Sequence, residues 1–222
     1  MRIAALFWSA CLFVAPVVWC QSAPAPSAAV DDAESKLERD LKMPEIIRAM
    51  ELRPGAKAAD IGAGEGDYEI ALSHAVSAQG RVYAEDISSG AIKRLREHLS
   101  KANPGNVEVV EGVSDDPKLP SGEFDAILMV ISYHEVKDYA KMLEHVFIAL
   151  KPGGRFIVVD MSPHRTANRP RADQVKNHVI APDLVESEVR QARFELLSRD
   201  DHFIDRPDEE STRWKIVFRK PN

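Results

Sequence analysis

Cysteine is almost missing from this chain: there are two in 222 residues, Cys11 and Cys20, both close to the N-terminus. Everything beyond residue 20 therefore lacks a thiol, which excludes disulfides, zinc–thiolate sites and cysteine nucleophiles from the folded part. Excess positive charge is missing as well. Lys and Arg total 29 against 35 Asp and Glu, a formal charge of −6, so the balance favours neither nucleic acid nor an anionic membrane as partner. What remains is ordinary for a globular chain, 45% hydrophobic and 29% charged. The length suits one domain whose core is large enough to do without disulfides.

Residues 1–22 stand apart from the rest. Arg2 supplies a single early positive charge and an apolar run from Ile3 to Val18 follows, the pattern of a secretory leader. The Pro/Ala/Ser tract that comes next, spanning 23–31, reads as a spacer, and the expected domain covers 32–222. An uncleaved membrane anchor is the alternative, since the apolar run approaches the length needed to span a bilayer. Pro16 and the small residues downstream favour cleavage, whereas Trp19 beside Cys20 occupies a position where lipoprotein signals carry a small residue. The expectation is an exported protein, periplasmic or secreted, with no stable membrane insertion once the leader is removed.

The stretch that organises the domain is Ala58-Ala59-Asp60-Ile61-Gly62-Ala63-Gly64-Glu65-Gly66. A short apolar run ends in an acid and breaks into three glycines, as a strand entering a tight turn before a helix would. Glycine suits such a turn because its backbone takes angles that side chains resist and because a ligand must come close to the main chain. The helix expected from about Tyr68 aims its free N–H groups at that turn. A dinucleotide fingerprint would need a third glycine one residue later, where Asp67 stands.

The remaining elements alternate. A second strand, Arg81 to Ile87, ends in Glu85 and Asp86; a helix capped by Ser88 carries Ile92, Leu95 and Leu99; a third strand runs from Val107 to Glu111. Phe124 to Ile131 is nearly all apolar, as a strand buried on both faces should be, and Ser132-Tyr133-His134-Glu135 stands at its tip. A helix from Tyr139 to Leu150 leads through Lys151-Pro152-Gly153-Gly154 into a fifth strand, Arg155 to Met161. A helix from Asp183 to Ala192 then precedes two strand-like runs, Phe194 to Ser198 and Arg213 to Arg219, close enough in sequence to pair as a hairpin. Upstream of the first strand, Asp31 to Pro54 reads as helix, with Leu37, Leu41, Ile46, Ile47 and Met50 apolar and Pro44 able to start a second segment. The predicted fold is α/β: a doubly wound, Rossmann-like sheet of seven strands, mostly parallel, with an antiparallel strand from the terminal hairpin and helices on both faces.

The motif D-I-G-A-G-E-G, followed in order by F-D-A-I-L-M-V-I-S-Y-H-E-V and L-K-P-G-G-R-F-I-V-V-D, resembles the class I S-adenosylmethionine-dependent methyltransferases, and the resemblance runs from about Asp40 to the C-terminus. It implies S-adenosylmethionine as methyl donor. The methionyl end would be held by Asp60, Gly62, Ala63, Gly64 and Gly66, the ribose by Asp86 with Glu85 the lesser candidate, and the adenine amino group by Asp115. The acceptor would lie beside Tyr133, His134 and Glu135: His134 as proton acceptor or as a capping residue, Glu135 orienting it or binding a cation, Tyr133 facing the sulfonium or simply packing. No N-P-P-Y tetrad occurs at the fourth strand tip, which argues against the nucleic-acid and glutamine amino methyltransferases that use it and leaves a small-molecule acceptor. The segment from Ser162 to Pro182, with His164, Arg165, Arg169, Arg171, Lys176 and His178, would suit an anionic acceptor or be a solvated basic loop. No metal site is expected, since no second histidine lies at a ligand spacing near His134 and Glu135. Two other functions fit less of this pattern: a binding module that keeps the nucleoside pocket without transfer chemistry, and an NAD-dependent oxidoreductase.

Overall fold

A computed structural model describes residues 42–163, 167–206 and 211–222. The leader, the spacer and the start of the first predicted helix, with Leu37 and Leu41, lie outside the described residues, as do His164 and Arg165. Among the described residues the order is α1 (Met43–Met50), β1 (Lys57–Ile61), α2 (Glu69–Val76), β2 (Arg81–Asp86), α3 (Ser89–Ala102), β3 (Val107–Glu111), β4 (Phe124–Val130), a 3-10 turn (Tyr133–Glu135), α4 (Tyr139–Ala149), β5 (Leu150–Met161), α5 (Arg171–Val175), α6 (Pro182–Gln191), β6 (Glu195–Arg206) and β7 (Ser211–Arg219).

The seven strands form one sheet in the order β3-β2-β1-β4-β5-β7-β6. Strands β1 to β5 run parallel to one another, and β7 inserts antiparallel between β5 and β6. Strand order reverses beside β1, whose partners are β2 on one side and β4 on the other. Such a switch point opens a crevice at the carboxyl ends of the strands.

Period-two alternation sorts the strand residues between two cores. Ala59, Ile61, Ile127, Met129, Phe156 and Val158 face a cluster built with Leu143 and Val146 of α4 and Val185 and Val189 of α6. Ala58, Ala126, Leu128, Ile157 and Val159 face the opposite cluster, with Met43, Ile46 and Met50 of α1 and Leu72 and Val76 of α2. The cap read from sequence forms, with Ser88 Oγ accepting from Ala91 N at 3.4 Å; Asp138, ahead of α4, also accepts from Lys141 N at 3.1 Å.

The structure departs from the sequence reading in two places. Lys151 to Gly154 form a bulge inside β5 rather than a turn ahead of it: pairing with β4 jumps from Phe124↔Leu150 to Ala126↔Arg155, with Gly153 at φ +75°. The terminal hairpin is longer than its apolar runs, because residues 199–206, polar apart from the buried Phe203 and Ile204, continue β6, which shifts register twice opposite β7.

Candidate active site

The glycine turn is built as a cradle. Gly62, Gly64 and Gly66 have φ values of +79°, +61° and +93°, in the region that favours glycine. At Gly62 a Cβ would stand 2.5 Å from Ser132 Cβ, whereas at Gly64 it would meet nothing within 4 Å. Gly62 is therefore needed for close packing, and Gly64 leaves its backbone open. A Cβ on Gly66 would strike Leu95 of α3 at 2.7 Å. The loop is pinned to β2, where Gly62 N and Ala63 N donate to Glu85 O at 2.9 and 2.8 Å and Gly64 N donates to Asp86 Oδ2 at 3.0 Å.

On the other side of β1, Ile131 leaves β4 with φ +52°, an outlying conformation for a β-branched residue. It is held by its N–H, which donates to Val159 O at 2.7 Å. That bend delivers Ser132 to the glycine turn, where its Oγ donates to Ile61 O at 2.8 Å.

Between these walls lies a cavity of about 340 Å³ whose lining includes Gly62, Gly64, Glu85, Asp86, Ser132 and Glu135. Its apolar walls come from Ile61, Ile87, Val113, Met129, Ile131 and Met142. An apolar slot beside two carboxylates and an open backbone loop fits a nucleoside with vicinal hydroxyls and a charged tail.

The two β2 acids differ in state. Asp86 is oriented locally, its second oxygen accepting from Ser88 N at 2.7 Å, and each oxygen keeps a lone pair for a further donor. Glu85 is 1% exposed. One oxygen accepts from Gly62 N at 3.3 Å and Oε1 has no partner. Burial pushes the Glu85 carboxyl up to about 8; the Gly62 N–H partly offsets this, and the nearby Asp86, Asp60 and Asp116 charges add to it. Gly112 makes the room that Glu85 needs, since a Cβ there would stand 1.8 Å from Glu85 Oε1.

Asp60 sits behind the loop, on the same rim of the sheet as Asp86: β1 and β2 are paired so that Ile61 faces Glu85. It is 2% exposed and Glu69 of α2 is fully buried. Burial pushes both carboxyls up, Asp60 to about 7 and Glu69 well above its ordinary value; Glu69 offsets part of the rise at Asp60, to which Asp67 and Asp86 add, whereas the Asp60 charge adds to the rise at Glu69.

Several predicted site residues lie elsewhere than expected. Asp115 does not line the cavity; its carboxylate pairs with Lys141 Nζ at 2.6 Å, and Val113 and Ser114 face inward instead. Tyr133 is fully buried and its hydroxyl donates to Glu188 Oε2 at 2.8 Å. It packs the strand end and offers no face to the cavity. Arg171, considered for an anionic acceptor, is committed as a clamp. Its Nε lies 3.0 Å from Glu188 Oε1, Nη2 donates to Val136 O at 3.1 Å and the guanidinium lies 4.7 Å from the Tyr139 ring centre.

His134 is buried beneath the exposed Glu135. Its backbone N donates to Asp160 Oδ2 at 3.0 Å and its Nδ1 lies 2.8 Å from Asp160 Oδ1. Asp160, fully buried at the end of β5, thus fixes the ring, with Nε2 3.9 Å from Glu135 Oε1. Burial works to lower the pKa of His134, but the Asp160 carboxylate outweighs it and the net shift is upward. The His178 ring stands edge-on to the His134 ring at 5.6 Å. Sequence reasoning missed the roles of Asp160, Glu69 and His178. For Asp160 a signal was present, since it is an acid at a strand tip like Asp86.

Comparison with known proteins agrees with this architecture. A family model described as a methyltransferase domain matches residues 58–154. The demethylmenaquinone methyltransferase of Geobacillus kaustophilus is 30% identical over 125 residues, covering 56% of this chain and 53% of that protein. The chain spans about half the length of the curated relatives it matches. A S-adenosylmethionine-dependent methyltransferase from Aquifex aeolicus superposes with a TM-score of 0.70 at 20% identity, over 87% of this chain and 97% of that one. The [4+2]-cyclase SpnF does so with 0.66 at 16% identity, over 87% and 82%. A methyltransferase-domain match thus spans the glycine loop, the β2 acids and the fourth strand, and the fold around them is the one shared with the solved methyltransferase structure.

Proposed function

We propose that this protein transfers a methyl group from S-adenosylmethionine to a small-molecule acceptor. One observation carries the reading: the open glycine loop, the two β2 carboxylates and the apolar slot converge on a single cavity at the carboxyl edge of the sheet. When bound, the donor supplies an electrophilic methyl group on a sulfonium. Gly62 and Gly64 present backbone to its polar tail, Asp86 and Glu85 accept from ribose hydroxyls, and Val113, Met129 and Met142 flank the base. Glu135 marks the acceptor end, because it lines the cavity and also stands 3.9 Å from His134 Nε2. In-line displacement asks the protein chiefly to align reactants, and the Asp160-braced His134 supplies a fixed group there to receive the acceptor.

The likeness to menaquinone methyltransferases supports a small organic acceptor, and the leader-like residues 1–22 support export of the chain. Mass spectrometry of the purified protein's N-terminus tests export: an intact Met1 to Cys20 segment in the native host refutes cleavage. Calorimetry with S-adenosylmethionine and S-adenosylhomocysteine, followed by mass-shift screening of hydroxyl, amine and carbon acceptors, tests the activity. Donor binding with no methyl transfer to any acceptor class would replace the enzyme by a binding module. Binding of NAD with none of the sulfonium would sink the reading altogether.

A further inference from the structure

We propose that His134, Glu135 and His178 form a divalent-metal site at the acceptor end of the cavity. His134 Nε2 lies 3.9 Å from Glu135 Oε1 and His178 Nδ1 lies 4.0 Å from the same oxygen. One ligand atom from each of the three residues falls within 4.8 Å of the others. Ligand atoms around tetrahedral zinc, at ~2.0–2.1 Å from the metal, stand ~3.3 Å apart. Closing the gaps asks for approaches of roughly 0.6 to 1.5 Å, and it asks them of Glu135 and His178, whose side chains are 67% and 76% exposed.

The third member is held still. Asp160 takes the Nδ1 side of His134 at 2.8 Å, the carboxylate–histidine arrangement that sets the tautomer of a metal-bound imidazole and leaves Nε2 free to ligate. His178 is also placed deliberately. The fully buried Gln174 ties its segment together by donating to Ala167 O and Arg169 O and accepting from Ala181 N. Two imidazoles and one carboxylate favour zinc and its first-row neighbours over magnesium or calcium, which prefer all-oxygen sites. Three protein ligands leave a coordination position open, as catalytic zinc sites do.

Glu135 belongs both to this group and to the cavity lining, so the open position faces the acceptor end. The chemistry that fits it is an acceptor bearing a hydroxyl, whose oxygen would ligate and release its proton to solvent more readily on the metal. This second step rests on the methyl-transfer reading; metal binding does not.

The test uses the full chain stripped with chelator and titrated with Co²⁺, followed by visible absorption, and with Zn²⁺ by calorimetry. One equivalent should bind, giving the bands of a four- or five-coordinate cobalt centre, and Mg²⁺ at the same concentration should not displace it. His178→Ala and Glu135→Ala, both at exposed positions, should each weaken binding at least tenfold, and Asp160→Asn by ~10–100-fold. Affinity for S-adenosylmethionine, measured in the same samples, should stay unchanged in the His178 variant. Absence of cobalt bands, or an affinity that survives the combined His178→Ala and Glu135→Ala change, overturns the site. Loss of metal binding alone leaves the donor reading standing, and loss of donor binding alone leaves the metal site standing.

Discussion

Replacing Glu85 by glutamine should stabilise the free protein at neutral pH and flatten its stability profile. The carboxyl is 1% exposed, has one oxygen unpartnered and is pushed by burial from an ordinary 4.5 up to about 8. An acid whose folded pKa is raised is protonated when folded and ionised when unfolded between those two values. Its full contribution to stability is present below pH 4.5 and is lost progressively as the pH rises through about 8. At about 1.4 kcal/mol per pH unit, the loss by pH 7 amounts to at most ~3.5 kcal/mol. Glutamine, of the same shape and without a charge to lose, escapes it. Urea unfolding of wild type and Glu85→Gln at intervals from pH 5 to 9 measures the difference. The gap between the two proteins should be near zero at pH 4.5–5 and widen steadily toward pH 8. Asp60 and Glu69 leave a residual slope of the same sign in the variant. A constant gap, or a wild type that gains stability relative to the variant as the pH rises, would refute the reasoning.

Asp86→Ala should weaken S-adenosylmethionine binding by at least tenfold, since it removes both a ribose acceptor and the anchor of Gly64 N; unchanged affinity by calorimetry would remove Asp86 from the site. Gly62→Ala should abolish donor binding and lower stability by ~2 kcal/mol or more, because the new methyl would stand 2.5 Å from Ser132 Cβ at φ +79°; a variant with wild-type thermal midpoint and donor affinity contradicts the cradle. Arg171→Ala should cost ~2–4 kcal/mol by leaving Glu188 short of its ion pair; if stability held and only acceptor KM rose, Arg171 would be a binding residue rather than a clamp.

The course of the chain from β1 to β5 was legible because each step is local. Apolar runs of strand length, glycine turns and capping residues can be read without knowing what packs where, and the strand tips at Asp60, Asp86 and His134 followed from them. Boundaries slipped where local signals were mixed, as in β6, whose mostly polar second half is a strand only because β7 lies beside it.

Side-chain commitments were another matter. Sequence alone determined that acids and a histidine would stand at one edge of a parallel sheet. Only the tertiary structure decided that Asp115 is taken by Lys141, Arg171 by Glu188 and Tyr133 by the core, and that Asp160 and His178 converge on His134. The reason is physical: backbone pattern is set by neighbours along the chain, whereas the partner of a polar side chain is whichever group the packing of distant elements brings within ~3 Å.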